Sequence, residues 1–314
     1  MMQIPRTTFR KQAHPTSTFS AQHDPLWPHA ELPIGLNWAH AACRCGWTDY
    51  AESLHDARVL ARRHRRDADA DVFYPGWASH VGGRRHQADA SGVHVSLDGA
   101  DHAWAVADGI GDHPLSAEAA SRAAATAARV AARDGAIAGL LAAAEVLTGL
   151  PSEDTVMVVA APLPPSDGAG WDVAWVGDCR AYEYRAETDQ CVQLTVDHTR
   201  GQELRVALAD SYKDRSDELE AYARRSDNIV TSSVGTATSR TVGHATTRWP
   251  RQRLILTSDG VHKPVPLRSI TRAARSFSDS RACAHKLTIA ARYFGGSDNA
   301  TAMVIDPASE SRYP

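Results

Sequence analysis

The sequence predicts an α+β protein, a layered sandwich in which hairpin-joined strands pack against helices. Three observations predict it. Apolar runs of strand length lie on both sides of a long helical stretch, their connections are short and rich in Gly, Asp and Pro, and strands and helices come in blocks. An alternating parallel sheet would need a crossover helix between successive strands, and most of these runs lie too close together to hold one.

Composition agrees with a globular chain. Its 314 residues, 43% apolar and 23% charged, suffice for one large domain with an appendage, or for two domains. A formal net charge of −3 gives no basic field for nucleic acid or an anionic membrane. Five cysteines, an odd number, and a start, "MMQIPRTTFRKQ", without a hydrophobic signal region predict a reducing compartment and a cytoplasmic protein. No apolar run nears the roughly 20 residues of a membrane span. Abundant Arg and Ala suggest a high-GC bacterial coding bias.

Residues 1–35, rich in Pro, His, Thr and Ser without a period, read as loop or disorder. Residues 36–75 read as a small Cys/His-containing hairpin-helix module: "NWAHAACRCGW" suits a hairpin, and Leu54, Ala57, Val59, Leu60 and Ala61 fall near one helical face. "YPGWASHVGGRR" then reads as a connection. "GVHVSLDG" and "HAWAVADG" form a strand pair, "PLSAEAASRAAATAARVAARDG" and "AIAGLLAAAEVL" two helices, the first closed by Gly135. "DTVMVVAAPL", "WDVAWVGD" and "RAYEYRA" are strands, and a polar helical stretch runs from Arg200 to about Arg225. "RLILTSDG" is a buried strand, "SITRAARSFSDSRACAHKLTIAARYFG" one or two helices, and "NATAMVIDP" a closing strand.

Five Asp-Gly pairs punctuate the chain, and Asp-Gly is an ordinary turn signal. Asp98, Asp134 and Asp167 fit turns or a helix end. Asp108 and Asp259 differ, because each terminates a strand that is apolar on both faces, "WAVA" and "LILT". With Asp298 before the last strand, three carboxylates would cluster at strand ends if those strands are neighbours. Such a cluster is unfavourable without divalent cations, and oxygen-only ligands favour Mg²⁺ or Mn²⁺ over Zn²⁺. A glycine at 109 would let the backbone carbonyl approach an ion.

In order and spacing, "VADGIGDH", "WVGDCRAYEYR", "LTVDHT", "NIVTSSVGT", "LILTSDGVHKPV" and "SDNATAMVI" resemble the metal-dependent Ser/Thr protein phosphatases of the protein phosphatase 2C family, bacterial type, over roughly Val81 to Asp306. The resemblance implies a four-layer α-β-β-α sandwich of two mainly antiparallel sheets flanked by helices, with a catalytic domain over 76–308 and a short tail, 309–314. It implies two Mn or Mg ions, with Asp108 bridging them, Gly109 lending a carbonyl, and Asp259 and Asp298 binding the first. It also implies hydrolysis of phosphoserine or phosphothreonine by a metal-activated hydroxide on phosphoprotein substrates, opposing a Ser/Thr kinase in signalling. In "RRHQAD", Asp89 matches the family's Asp and Arg84 its phosphate-binding Arg, with Arg85 the alternative; a guanidinium fork can hold two phosphate oxygens. His113 matches a His of bacterial members, a candidate general acid or a helix cap.

Departures qualify the match. Ala88 stands where many members carry Glu or Gln, which leaves the second ion fewer side-chain ligands. Asp112 replaces a glycine and tightens or charges the loop beside the cleft. Neither Glu153 nor Asp154 aligns with the Asp that serves a third ion in some members, so that ion stays open. Cys179 reads as a small buried residue, Trp171 and Trp175 as core, and Asp178 and Asp197 as turn residues. In the N-terminal module His40, Cys43, Cys45 and His64 are candidate structural zinc ligands, against a metal-free hairpin-helix. Arginines 58, 62, 63, 65 and 66 are a solvated helix end or a patch for an acidic partner or nucleic acid. Two alternatives to the enzyme stand: a degenerate phosphoprotein-binding regulator without turnover, and a phosphatase-switched regulator whose N-terminal module binds nucleic acid.

Overall fold

In the computed structural model, which describes residues 16–20, 39–43, 48–51, 53–60, 73–97, 101–148, 153–163, 167, 170–248 and 251–307, the chain separates into two units. In the smaller, β1 (Thr16–Ser20) and β3 (Thr48–Ala51) pair antiparallel with opposite edges of β2 (Ala39–Cys43). A helical stretch, 54–60 (α1), follows. Ala39, Ala41 and Ala57 are buried with Leu54 and Leu60 packed on them, while Val59 turns outward, 42% exposed. The hairpin-helix therefore carries a third strand inside the segment that composition assigns to loop or disorder. "TSTFS" is β-tolerant, and a hairpin offers it an open edge. The zinc candidates Cys45 and His64, and the side chains of His40 and Cys43, lie outside the described residues, as do Arg62, Arg63, Arg65 and Arg66.

The larger unit begins with β4 (Phe73–His80), β5 (Asp89–Val95) and β6 (His102–Gly109), then the helices α2 (Pro114–Asp134) and α3 (Ala136–Leu147). β7 (Thr155–Pro162), β8 (Trp171–Val176), β9 (Arg180–Arg185) and β10 (Gln190–Gln193) follow. The polar stretch divides into α4 (Arg200–Leu208) and α5 (Ser216–Ala223). The chain closes with β11 (Gly243–Thr246), β12 (Arg253–Thr257), α6 (Asp259–His262), α7 (Leu267–Ser276), α8 (Ser280–Tyr293) and β13 (Ala300–Pro307). The strands form two five-stranded antiparallel sheets, ordered β10-β9-β12-β13-β4 and β11-β8-β7-β6-β5.

Alternation along the strands sorts side chains into layers. Trp104 and Val106 of β6 meet Leu254, Leu256, Met303 and Ile305 between the sheets, with Trp171 and Trp175 in the same core. Ala103, Ala105 and Ala107 face the other way, onto Ala119, Ala120, Ala123, Ala124, Ala127 and Ala131 of α2. Alanine on both surfaces lets the helix lie close to the sheet. On the far side Ile255, Ala302 and Val304 pack against Ile270, Ala274, Ala284 and Leu287 of α7 and α8. Three apolar cores thus separate four layers, α-β-β-α.

The segment expected to be a connection, "YPGWASHV", is instead mostly β4. It pairs along its whole length with β13 and is an edge strand, where Pro75 costs no ladder bond to a second neighbour. Gly76 is there because α8 lies directly on it: a Cβ would run into the backbone of Arg281. The turn-like residues reflect an edge position and a close helix. β4 also crosses the expected boundary between residues 75 and 76.

Candidate active-site cleft

Aspartates converge at one end of the sandwich because four strands terminate there. Asp108 ends β6, Asp178 follows β8, Asp259 follows β12 and Asp298 precedes β13; all four line an open cleft of about 500 Å³, together with Arg84, Gly109, Asn228 and Lys263. Asp89 stands behind Asp108, directly opposite it in the β5–β6 register. Like charges facing each other across a strand pair are destabilising. Burial, then the neighbouring Asp89, Asp259 and Asp178 carboxylates, hold the Asp108 carboxyl well above the usual range. Burial likewise pushes Asp89 up to about 7 and Asp178 to about 6.

Asp89, Asp259 and Asp298 have partners within the chain. Asp89 Oδ2 accepts from Ser258 Oγ at 2.7 Å, whereas its buried Oδ1 has no hydrogen-bond partner. Asp259 Oδ2 accepts from Lys263 Nζ at 2.7 Å, and its buried Oδ1 has no hydrogen-bond partner either. Asp298 Oδ1 accepts the Asn299 N–H at 2.8 Å and Oδ2 accepts from Arg84 Nη2 at 2.7 Å. Two buried carboxylate oxygens without partners, in a crowded carboxylate cluster, fit an oxygen-ligated divalent cation. Among the described residues no three His, Cys, Asp or Glu side chains are drawn together tightly enough to hold an ion alone. Arg84 and Lys263 neutralise part of the cluster instead.

Of the two arginine candidates, Arg84 lines the cleft and Arg85 does not. The loop that carries them is fixed from two sides. Asp112 accepts the backbone N–H of Arg85 at 3.1 Å and of His86 at 2.9 Å, so the aspartate in place of glycine ties this loop down. Asn299 accepts the Ala88 N–H at 2.7 Å and donates to the carbonyls of Val81 and His86 at 2.8 and 3.0 Å. Ala88 is buried and offers the cleft no ligand. Gly109 is required for packing: a Cβ would lie 2.5 Å from Ser116 O in the first turn of α2.

His113 does not reach the cleft lining. It is the N-cap of α2, its ring accepting from the Ser116 N–H at 3.4 Å and facing Glu153 at 3.4 Å, so the capping alternative holds for its side chain here. Asp154, the open third-ion question, is occupied: its carboxylate accepts from Ser233 Oγ at 2.5 Å and from the N–H groups of Gly235 and Thr155 at 2.8 and 2.7 Å. Cys179 is buried, and burial raises its thiol well above the usual range, which makes it inert. Asp197 forms a two-bond pair with Arg180 at 2.8 and 2.6 Å and is structural. Asp178, expected to serve only a turn, lines the cleft. Its signal is the one that marked Asp108, a carboxylate at the end of a buried strand. Lys263 and Asn299 carry no role in the sequence reading although each lies inside a quoted motif, four residues after Asp259 in "LILTSDGVHKPV" and one after Asp298 in "SDNATAMVI".

No protein-family model matches the sequence, and no curated protein matches it. Solved structures do. The PPM Ser-Thr phosphatase MsPP from Mycobacterium smegmatis, in complex with cacodylate, is 25% identical with a TM-score of 0.59, over 74% of this chain and 98% of that one. The serine/threonine phosphatase Stp1 from Staphylococcus aureus is 20% identical with a TM-score of 0.61, over 76% and 96%. The catalytic domain of the serine threonine protein phosphatase PstP, in complex with two manganese ions, is 22% identical with a TM-score of 0.55, over 76% and 100%. With two antiparallel five-stranded sheets flanked by helices and these neighbours, the chain has the fold of the metal-dependent protein phosphatase 2C family.

Proposed function

We propose that this chain is a metal-dependent Ser/Thr protein phosphatase that hydrolyses phosphoserine or phosphothreonine in protein substrates and so opposes a Ser/Thr kinase. The observation that carries the reading is the carboxylate cluster of Asp89, Asp108, Asp259 and Asp298 at one end of the sandwich, with two buried oxygens left without partners. Asp108, the Gly109 carbonyl, Asp259 and Asp298 would hold two Mn²⁺ or Mg²⁺ ions, and the all-oxygen donor set suits these metals. When bound, such ions activate water and neutralise phosphoryl oxygens.

The chain's own groups supply orientation. Arg84 enters the cleft on a loop pinned by Asp112 and Asn299, and its planar fork can take two oxygens of a phosphoryl group once released from Asp298. Ser258 orients Asp89 and also accepts the Thr301 N–H at 2.9 Å, which fixes the carboxylate behind Asp108. Every cleft residue belongs to the larger unit, so activity is assigned to that unit, β4 from Phe73 included, with the N-terminal module as an accessory. No helix among the described residues is long and apolar enough to cross a membrane. A regulator that binds phosphoproteins without turnover fits less well, because the core carboxylates are all present.

The test is phosphate release from a phosphothreonine peptide with Mn²⁺, with Mg²⁺ and with chelator. Turnover that needs the ion is expected. A chain that folds and binds Mn²⁺ but releases no phosphate from any phosphopeptide would sink the proposal.

A further inference from the structure

Lys263 is the second cation of the cleft, beside Arg84. Its ammonium group donates to Asp259 Oδ2 at 2.7 Å, Asp178 Oδ2 at 2.8 Å and Asn228 Oδ1 at 2.9 Å. An ammonium has three N–H donors, and all three are in use. The partners come from different parts of the fold. Asp178 follows β8 in one sheet, Asp259 follows β12 in the other, and Asn228 lies in the segment between α5 and β11. Lys263 therefore ties the open ends of the two sheets across the cleft. It also divides Asp259: one oxygen goes to the ammonium and the other, buried, has no hydrogen-bond partner.

Resting on the reading of the cleft as a divalent-metal centre, we infer that Lys263 is a tethered cation of that centre: it holds Asp178 and Asp259 together before any ion arrives, and its charge weakens ion binding at the adjoining carboxylates. Two physical facts make this follow. A positive charge fixed within hydrogen-bond distance of a ligand carboxylate repels a divalent ion a few ångströms away, and it lowers the mutual repulsion of the carboxylates in the empty site. The residue thus sets a high threshold of free metal and keeps the metal-free cleft assembled. It is a positioning residue, acting through Asp259.

The test uses the full chain, as parent, Lys263→Met, Lys263→Gln and Lys263→Arg, with calorimetric Mn²⁺ titration and thermal unfolding in chelator and in excess Mn²⁺. Met removes the charge at similar length. It should melt about 2–6 °C lower than the parent in chelator and bind Mn²⁺ about tenfold more tightly, so that excess Mn²⁺ closes the gap. Gln should show the same tightening and serves if Met does not fold; Arg, which keeps the charge, should stay near the parent's affinity. Parent-like Mn²⁺ affinity in the neutral variants overturns the inference, as does a loss of melting temperature that Mn²⁺ does not repair, the mark of a merely structural role. If the parent itself binds no Mn²⁺, the metal-centre reading fails and takes the inference with it, a result distinct from the first two because it appears without any substitution.

Discussion

The two ends of β12 and β13 treat the same chemistry in opposite ways. At one end Arg253 donates to both oxygens of Asp306, at 2.6 and 2.7 Å, and to the carbonyls of Ala274, Phe277 and Ser278, so all five guanidinium N–H groups are used. Ser280 Oγ completes Asp306 at 2.7 Å. At the other end Asp259 and Asp298 share the cleft with Asp108 and Asp178, Lys263 and Arg84 are the cations that line it among the described residues, and buried oxygens of Asp89 and Asp259 remain orphaned. The first end is closed and serves stability. The second is left short of positive charge, the imbalance on which the proposed metal centre rests.

The widest separation between the ends should come from Asp108→Asn. It keeps the shape of the strand end and removes an anionic ligand, so Mn²⁺-dependent phosphopeptide turnover should fall by about 10³ or more while the chain still folds. Phosphatase rates alongside circular dichroism check this, and a fully active variant would return Asp108 to the status of a turn residue. Arg253→Ala should do the reverse: about 2 kcal/mol of stability lost in urea unfolding, from a half-buried carboxylate left with Ser280 alone and three carbonyls without their donor, with turnover per folded molecule unchanged.

A third effect sharpens the cleft itself. Arg84→Ala should lower catalytic efficiency by about 10², while Arg85→Ala should stay near the parent, since only Arg84 lines the cleft. Equal losses would place the phosphate fork on the wrong arginine. A fourth is a pH dependence. Burial raises the folded-state values of Asp89 and Asp108 above the usual carboxylate range, so the folded chain holds protons that the unfolded chain has released. In chelator this contribution is full below about pH 4 and is lost as pH rises through the folded values, about 7 for Asp89. Asp108→Asn should therefore gain melting temperature over the parent as pH rises from about 5 to about 8, and Mn²⁺ should remove the advantage. The smallest effect is the control: Asp167→Asn, another Asp-Gly pair, should stay within about 0.5 kcal/mol of the parent with full activity.

Much of this was legible in the sequence because period and termination are local. The alternation "HAWAVADG" and the alanine-rich run after Pro114 predict a strand and a helix, and the structure has both. Asp108, Asp259 and Asp298 are marked by where their strands stop, and the structure brings all three to one cleft. What sequence could not show are partners chosen through space. Pro75 and Gly76 read as a turn because nothing local reveals that β13 and α8 border them. Asp178 and Lys263 acquire meaning only from each other, 85 residues apart. In "RRHQAD" the resemblance favours Arg84 with Arg85 as the alternative, and in the structure Asp112 takes the backbone N–H of Arg85 while the side chain of Arg84 lines the cleft.

Asn299 also limits which residue its position can accept. Its amide oxygen receives one N–H and its amide nitrogen gives two, to groups on the loop that carries Arg84. Aspartate has the same outline but would set a second oxygen against the Val81 and His86 carbonyls, a lysine has no acceptor for Ala88, and an alanine answers none of the three. Asparagine is thus readable there as a word with no synonym, and exchanging it should disarm the arginine loop without touching a charge.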